Sequence, residues 1–318
     1  MNVIDNPVRS GLFDAHDALR RLGAAEARRT AGSTLERICI DAAAAVIEAP
    51  VDPSRLIYGS IALTYMPYRD PGPEYPLWNA RCGHTNFTLT PGPSGYPFGA
   101  KARVLLLHLV DRAIRSGSSV AEIGPSMRSW LQSMGIALGG MTYSHIGEQS
   151  RRIAGCGLRI VPASDQSEAL ALLAREVNGF IESFELDSED GKTEVVSPEG
   201  VVFAPTFPKR TRLDPGFFDY VSASRVALDR VAIQQISDNG WALDLYIWLA
   251  TELPALAAPL QISWPMFFEG FGDQGPRHRI KAKALSTLPL VAAVYPDARI
   301  RVDQDGLLLL PSPPAMFA

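Results

Sequence analysis

ARIRVDQDGLLLLPSP, residues 298–313, reads as two short strands around a turn. Apolar runs flank Asp305-Gly306, and an Asp-Gly pair in that setting is a strong hairpin signal. The segments before it decide the architecture. GPRHRIKAKALSTLPLVAAVYP (275–296) has the length of a helix, and Ile280, Ala284, Leu288 and Val291 form its apolar stripe. PMFFEGFG (265–272) is a short helix and PLQISW (259–264) a short strand. GWALDLYIWLATEL (240–253) and VALDRVAIQQIS (226–237) complete the half as helices.

The first half follows the same order. AKARVLLLHLVDRAIRS (100–116) is apolar almost all round, the mark of a buried helix. In GPSMRSWLQSMGI, Met127, Trp130, Leu131 and Met134 stand at i, i+3, i+4 and i+7. GMTYSHIGEQSRRIAG (140–155) turns Met141, Ile146 and Ile153 inward. CGLRIVP, FIESFELD and GVVFAP follow as strands, and another strand is expected near Thr85–Thr90. Further upstream, residues 10–30 form a helical arm interrupted by Gly23, and Leu35–Ile47 is a second helix. Helix, helix, helix, hairpin is the winged-helix order, met twice. The expected fold is α+β: an arm over 1–50, a first winged-helix domain over 51–206 and a second over 207–318. Trp130 and Leu131 belong to one core, Leu245 and Trp248 to another.

Composition narrows the function without giving it. The chain is 47% hydrophobic and 20% charged, with a net charge of −4 and a sequence pI near 5.8, values of a soluble globular protein. Cys39, Cys82 and Cys156 are scattered singly, with no CxxC pair. MNVIDNPVRSGLFDAHD lacks the basic and apolar regions of a signal peptide, and WALDLYIWLATELPALAAPL is too interrupted to span a bilayer. A cytoplasmic protein is expected. DGKT (190–193) resembles the end of a phosphate-binding loop, but Leu186 stands where the motif needs glycine. DSEDG places its glycine one position early for a calcium loop. The five histidines lack metal-ligand spacing, so neither metal nor cofactor is expected. Cys82 and His84 leave open a thiol hydrolase, although no base and orienting group accompany them.

Positive charge gathers in one place. Between 275 and 301 stand Arg277, Arg279, Lys281, Lys283, Arg299 and Arg301, with Asp297 as the one acid and His278 among the cations. In a helix-turn-helix the second helix enters the major groove, its early residues reaching base edges while nearby Lys and Arg neutralise phosphates. RHRIKAK opens the helix of which that geometry asks cations, and Arg299 and Arg301 stand on the hairpin that would follow the backbone. The alternative is a solvated helix face, but such a face usually mixes signs at i±4. In the first half, Tyr143, Ser144, His145, Arg151 and Arg152 occupy the corresponding helix. They serve DNA contact or, equally, a helix cap and a packed aromatic.

Several segments resemble the plasmid-encoded RepA replication protein family. They are YRDPGPEYPLWNARCGHTNFTLTPG (68–92), the block 96–136, GGMTYSHIGEQSRRIAGC (139–156), WALDLYIWLATELP, PLQISW, FEGFG, VAAVYPDARI and GLLLLPSPP. The resemblance runs from about Ile57 to Pro314. It implies a replication initiator without catalysis. Such a protein binds repeated double-stranded sites at a plasmid origin through winged helices and recruits host replication proteins. It leaves room for a homodimer, and a transcriptional repressor on the same scaffold is the neighbouring alternative. Two positions depart from the family pattern. RCGH stands for RNG, and Pro289 falls inside the long C-terminal helix, where a kink or restart is expected with Ser286 or Thr287 as a new cap.

Overall fold

The computed structural model describes residues 12–82, 85–124, 126–133, 136, 139–162, 177–187, 193–196, 209–271 and 275–316. In chain order the described elements begin with α1 (Ala15–Leu22), α2 (Ala24–Thr30), α3 (Thr34–Glu48), β1 (Leu56–Ser60), β2 (Trp78–Cys82) and β3 (Thr85–Thr90). Then come α4 (Gly99–Ser116), β4 (Val120–Glu122), α5 (Met127–Ser133), α6 (Gly140–Gly155), β5 (Gly157–Pro162), β6 (Ile181–Asp187), β7 (Thr193–Val196) and β8 (Arg210–Leu213). The last are α7 (Pro215–Ala223), β9 (Arg225–Asp229), α8 (Arg230–Ile236), α9 (Gly240–Glu252), β10 (Leu260–Ser263), α10 (Trp264–Phe271), α11 (Arg277–Val294), β11 (Ile300–Val302) and β12 (Gly306–Leu309). Helix and antiparallel sheet mix throughout, an α+β chain.

Two compact units result: one gathers the described residues up to Ile57 with those from Val226 onward, and the other is Tyr58–Arg225. The boundaries read from sequence fall elsewhere, because two sets of contacts join residues far apart in the chain. The first concerns the arm. α3 buries Cys39, Ile40, Ala42, Ala43 and Val46, and it packs on α11 and α8. Its alanine run lets the helices approach closely. Arg55 then pairs with Asp229 and donates to the carbonyls of Val46 and Ala49 at the end of α3. The second set is in β8, which pairs with β4 and β6 and so holds 210–213 in the middle unit.

In the first of these units, α9, β10, α10, α11, β11 and β12 follow one another, and the sheet order is β10-β12-β11. The last strand lies between the other two. Ile280, Ala284, Leu288 and Val291 of α11 are buried, as their stripe requires. Leu245 and Trp248 of α9 are buried in the same unit, Trp248 with its ring edge-on to Phe267 and Phe271. The middle unit has the parallel order α4, β4, α5, α6, β6, β8, and its sheet runs β4-β8-β6-β7. Here β5 is an insertion, paired with β3 in a second sheet, β2-β3-β5. Trp130 and Leu131 are buried in this unit, and Tyr65 stacks on Phe87 with ring centroids 3.8 Å apart. GVVFAP lies outside the described residues.

Three local expectations are corrected. Residues 225–229 are strand β9, so the helix starts only at Arg230; the Asp229 carboxylate accepts from the Val231 N–H and caps it there. α11 does not restart at Pro289. Helix runs unbroken from Arg277 to Val294, and the hydroxyls of Ser286 and Thr287 donate backwards to the Lys283 carbonyl instead of capping. Burial of 287–294 on several neighbours offsets the hydrogen bond that proline forfeits. The hairpin forms where expected, but its turn spans Asp303–Gly306. Neither Asp305 nor Gly306 has positive φ, so the two-residue turn that Asp-Gly usually makes is absent there. The Asp303 carboxylate accepts from the N–H groups of Asp305 and Gly306, both at 2.8 Å. Glycine is required at 306 for another reason: a Cβ there would run into the Ile262 carbonyl of the neighbouring strand.

Candidate nucleic-acid interface

α11 starts after Pro276, whose carbonyl accepts from the N–H groups of Arg279 and Ile280. Among the described residues no side chain caps the helix, and its first turn contains no acid. Its first turns instead present Arg277, His278, Arg279 and Lys283 to solvent, with Ile280 and Ala284 buried behind them. This arrangement opposes the helix dipole, since the N-terminal end is partially positive and favours carboxylates. In the same unit α1 follows the rule, with Asp14 capping, Asp17 in the first turn, and Arg20 and Arg21 in the last. The residues opening α11 are therefore poorly chosen for helix stability and well chosen for an external anion.

Among the described residues, none of Arg277, Arg279, Lys281, Lys283, Arg299 and Arg301 pairs with a carboxylate. Arg299 is exposed just before β11. Arg301 is half-buried opposite Leu308, and its Nε is buried without a hydrogen-bond partner. Lys281 is also half-buried, with Nζ 4.4 Å from the centre of the Trp264 ring. In the sequence Lys281 reads as one more cation and Trp264 as the end of a strand, and no local signal announces their contact.

α6 of the middle unit offers less. Ser144, His145 and Arg151 are exposed and Tyr143 half-buried. Arg152 is turned inward, its side chain 11% exposed. It pairs with Asp70 and Glu148, each at 2.8 Å, donates to the Tyr96 carbonyl at 3.0 Å, and lies over the Phe98 ring. Four hydrogen bonds within the protein hold that guanidinium, in contrast to the exposed cations that open α11.

The thiol alternative rested on Cys82 and His84. Burial pushes the thiols of Cys39 and Cys156, neither of them part of that alternative, up to about 12. His84 lies outside the described residues, and Cys82 ends β2. Among the described residues no three His, Cys, Asp or Glu side chains gather as a metal site, and no helix is long and apolar enough to cross a membrane.

Residues 96–264, just over half of the chain, match the family model of the plasmid-encoded RepA protein. The chain belongs to the RepA family. Membership gives the coarse function, a plasmid-encoded replication initiator. The RepA match ends at Trp264, so α11 and the hairpin lie beyond it. No curated protein matches the chain. Two solved structures are similar, both of RctB. Its domains 2 and 3, in a selenomethionine form, share 10% identity at a TM-score of 0.45, over 79% of this chain and 95% of that one. A second structure of domains 2–3 gives 10% identity and a TM-score of 0.42, over 79% and 94%.

Proposed function

We propose that this RepA protein binds specific double-stranded DNA repeats at its plasmid origin, with α11 as the recognition helix and the β11–β12 hairpin as a wing. The observation that carries the proposal is the row of cations opening α11, which face solvent without carboxylate partners among the described residues, at a helix end that electrostatics alone would give to acids. The succession α9, β10, α10, α11, β11, β12 and the sheet order β10-β12-β11 support the winged-helix reading of this unit. In it, Arg277 and Arg279 reach base edges, and Lys283 and Arg299 reach phosphates. His278 and Arg301 flank them. Tyr143, Ser144, His145 and Arg151 of α6 form the corresponding, weaker surface on the middle unit. Bound in several copies along an origin, the protein would present host replication proteins with a fixed platform.

Footprinting on the DNA flanking its own gene tests this. Several spaced protected repeats are the expected result. One palindromic site would favour a transcriptional regulator, and no protection anywhere would remove the DNA reading.

A further inference from the structure

Lys281 differs from the other cations of RHRIKAK. Its ammonium is seated on the face of Trp264, the residue that opens α10. Trp264 is itself buried and fastened at its edge. Its backbone N–H donates to the Asp305 carbonyl at 2.9 Å, and its indole N–H donates to the Gln304 carbonyl at 3.1 Å. Those two carbonyls are consecutive in the turn between β11 and β12. The turn is closed from within by the Asp303 carboxylate and by the Asp303 N–H, which donates to Gly306 O at 3.1 Å. One indole thus holds the hairpin turn by its edge and the basic helix by its face.

We propose that Lys281 is a positioning residue: seated on Trp264, it couples α11 to the hairpin turn, so that helix and wing meet DNA as one preset surface. This rests on the DNA reading above for its purpose, though not for the coupling itself. Hairpin tips held only by their own strands are among the more easily opened parts of a fold. A cation over an indole is one of the stronger contacts of its kind, more so when partly desolvated. A preset wing would lower the ordering cost of recognition. The same seat takes Lys281 away from phosphate, so its loss should not resemble the loss of a phosphate contact.

The test uses the full chain with K281M, K281R and W264F. In the free protein, K281M should speed hydrogen exchange at the amides of Trp264, Asp305 and Gly306 by roughly three- to tenfold. K281R, which keeps a cation over the ring, should restore protection. W264F keeps a ring but loses the donor to Gln304, and should expose the same amides. Arg279→Ala should leave them unchanged. With DNA, K281M should weaken the specific duplex while leaving the salt slope intact. Removing a phosphate contact would instead lower the slope by about 0.9 on specific and scrambled duplexes alike. Unchanged exchange in K281M, or a slope lowered by about one unit, overturns the proposal. If the wild-type protein binds no duplex, the DNA reading fails, and the exchange measurements still decide whether Lys281 couples helix to turn.

Discussion

α6 in the middle unit and α11 in the other both carry arginine, and the two helices use it differently. In α6, Arg152 satisfies Asp70, Glu148 and the Tyr96 carbonyl and lies over Phe98. In α11, Arg277 and Arg279 face solvent at the helix start and satisfy nothing among the described residues. Both are arginines on comparable elements, yet one contributes cohesion and the other a field. A cation's meaning therefore depends on what already neutralises it. The middle unit repeats the lesson on its sheet, where Arg210 and Arg212 of β8 pair with Glu185 and Glu182 of β6. An arginine held by an internal acid should matter to stability. One without a partner should matter to affinity.

The largest effect is expected at the most deeply held pair. Arg55→Ala would leave Asp229, 4% exposed, as a buried carboxylate without its guanidinium. It would also remove donors from the carbonyls closing α3. A loss of about 3–5 kcal/mol is expected in urea unfolding. A loss below about 1 kcal/mol, the range of surface pairs, would mean that the N-terminal arm is not fastened to its unit in this way.

Next comes the unpartnered class. Arg279→Ala should cost about 1–3 kcal/mol on the true site and much less on a scrambled one. Lys283→Ala should weaken both alike and lower the salt slope by about one unit. The wild-type slope should lie near −5 if about six phosphates are neutralised. Titrations of each variant on both duplexes between about 50 and 200 mM salt separate the roles. A flat wild-type response would make the basic stretch a solvated face.

Arg152→Ala should behave in the opposite way. Its acid partners are about 40% exposed and regain water, so a stability loss of about 1–2 kcal/mol is expected, with the DNA salt slope unchanged. Arg151→Ala, on the exposed face of the same helix, should stay within about 0.5 kcal/mol. A slope lowered by Arg152→Ala would return that residue to the interface and erase the contrast between α6 and α11.

Much of this was legible in the chain itself. The periodic stripe of 280–291 and the apolar runs around Asp305-Gly306 fixed helix and hairpin, because each signal is local. The bounds of α6 and β3 emerged for the same reason. Long-range partners did not. Asp70 lies 82 residues from Arg152 and Asp229 lies 174 from Arg55, and no periodicity announces either. Lys281 on Trp264 and Arg152 on its two acids belong with these: charge is visible in sequence, but its neutralisation or seating is not. The unbroken passage of α11 through Pro289 was hidden too, since packing rather than propensity maintains it.

The smallest effect is the sharpest test of why the cations are there. Arg277 is the first residue of α11, where the exposed N–H groups already give a positive end. Replacing it with alanine removes an unfavourable charge–dipole contact and substitutes the best helix former. Arg277→Ala should therefore stabilise the free protein, by about 0.3–1 kcal/mol at low salt, while weakening its hold on DNA. The gain should shrink between about 0.01 and 1 M ionic strength, because screening removes the repulsion. Thermal melts at the two salt levels, set beside binding titrations, give both signs in one experiment. A residue that served the fold would show the reverse pattern, and a destabilised Arg277→Ala would mean that the arginine has an acid partner inside the protein after all.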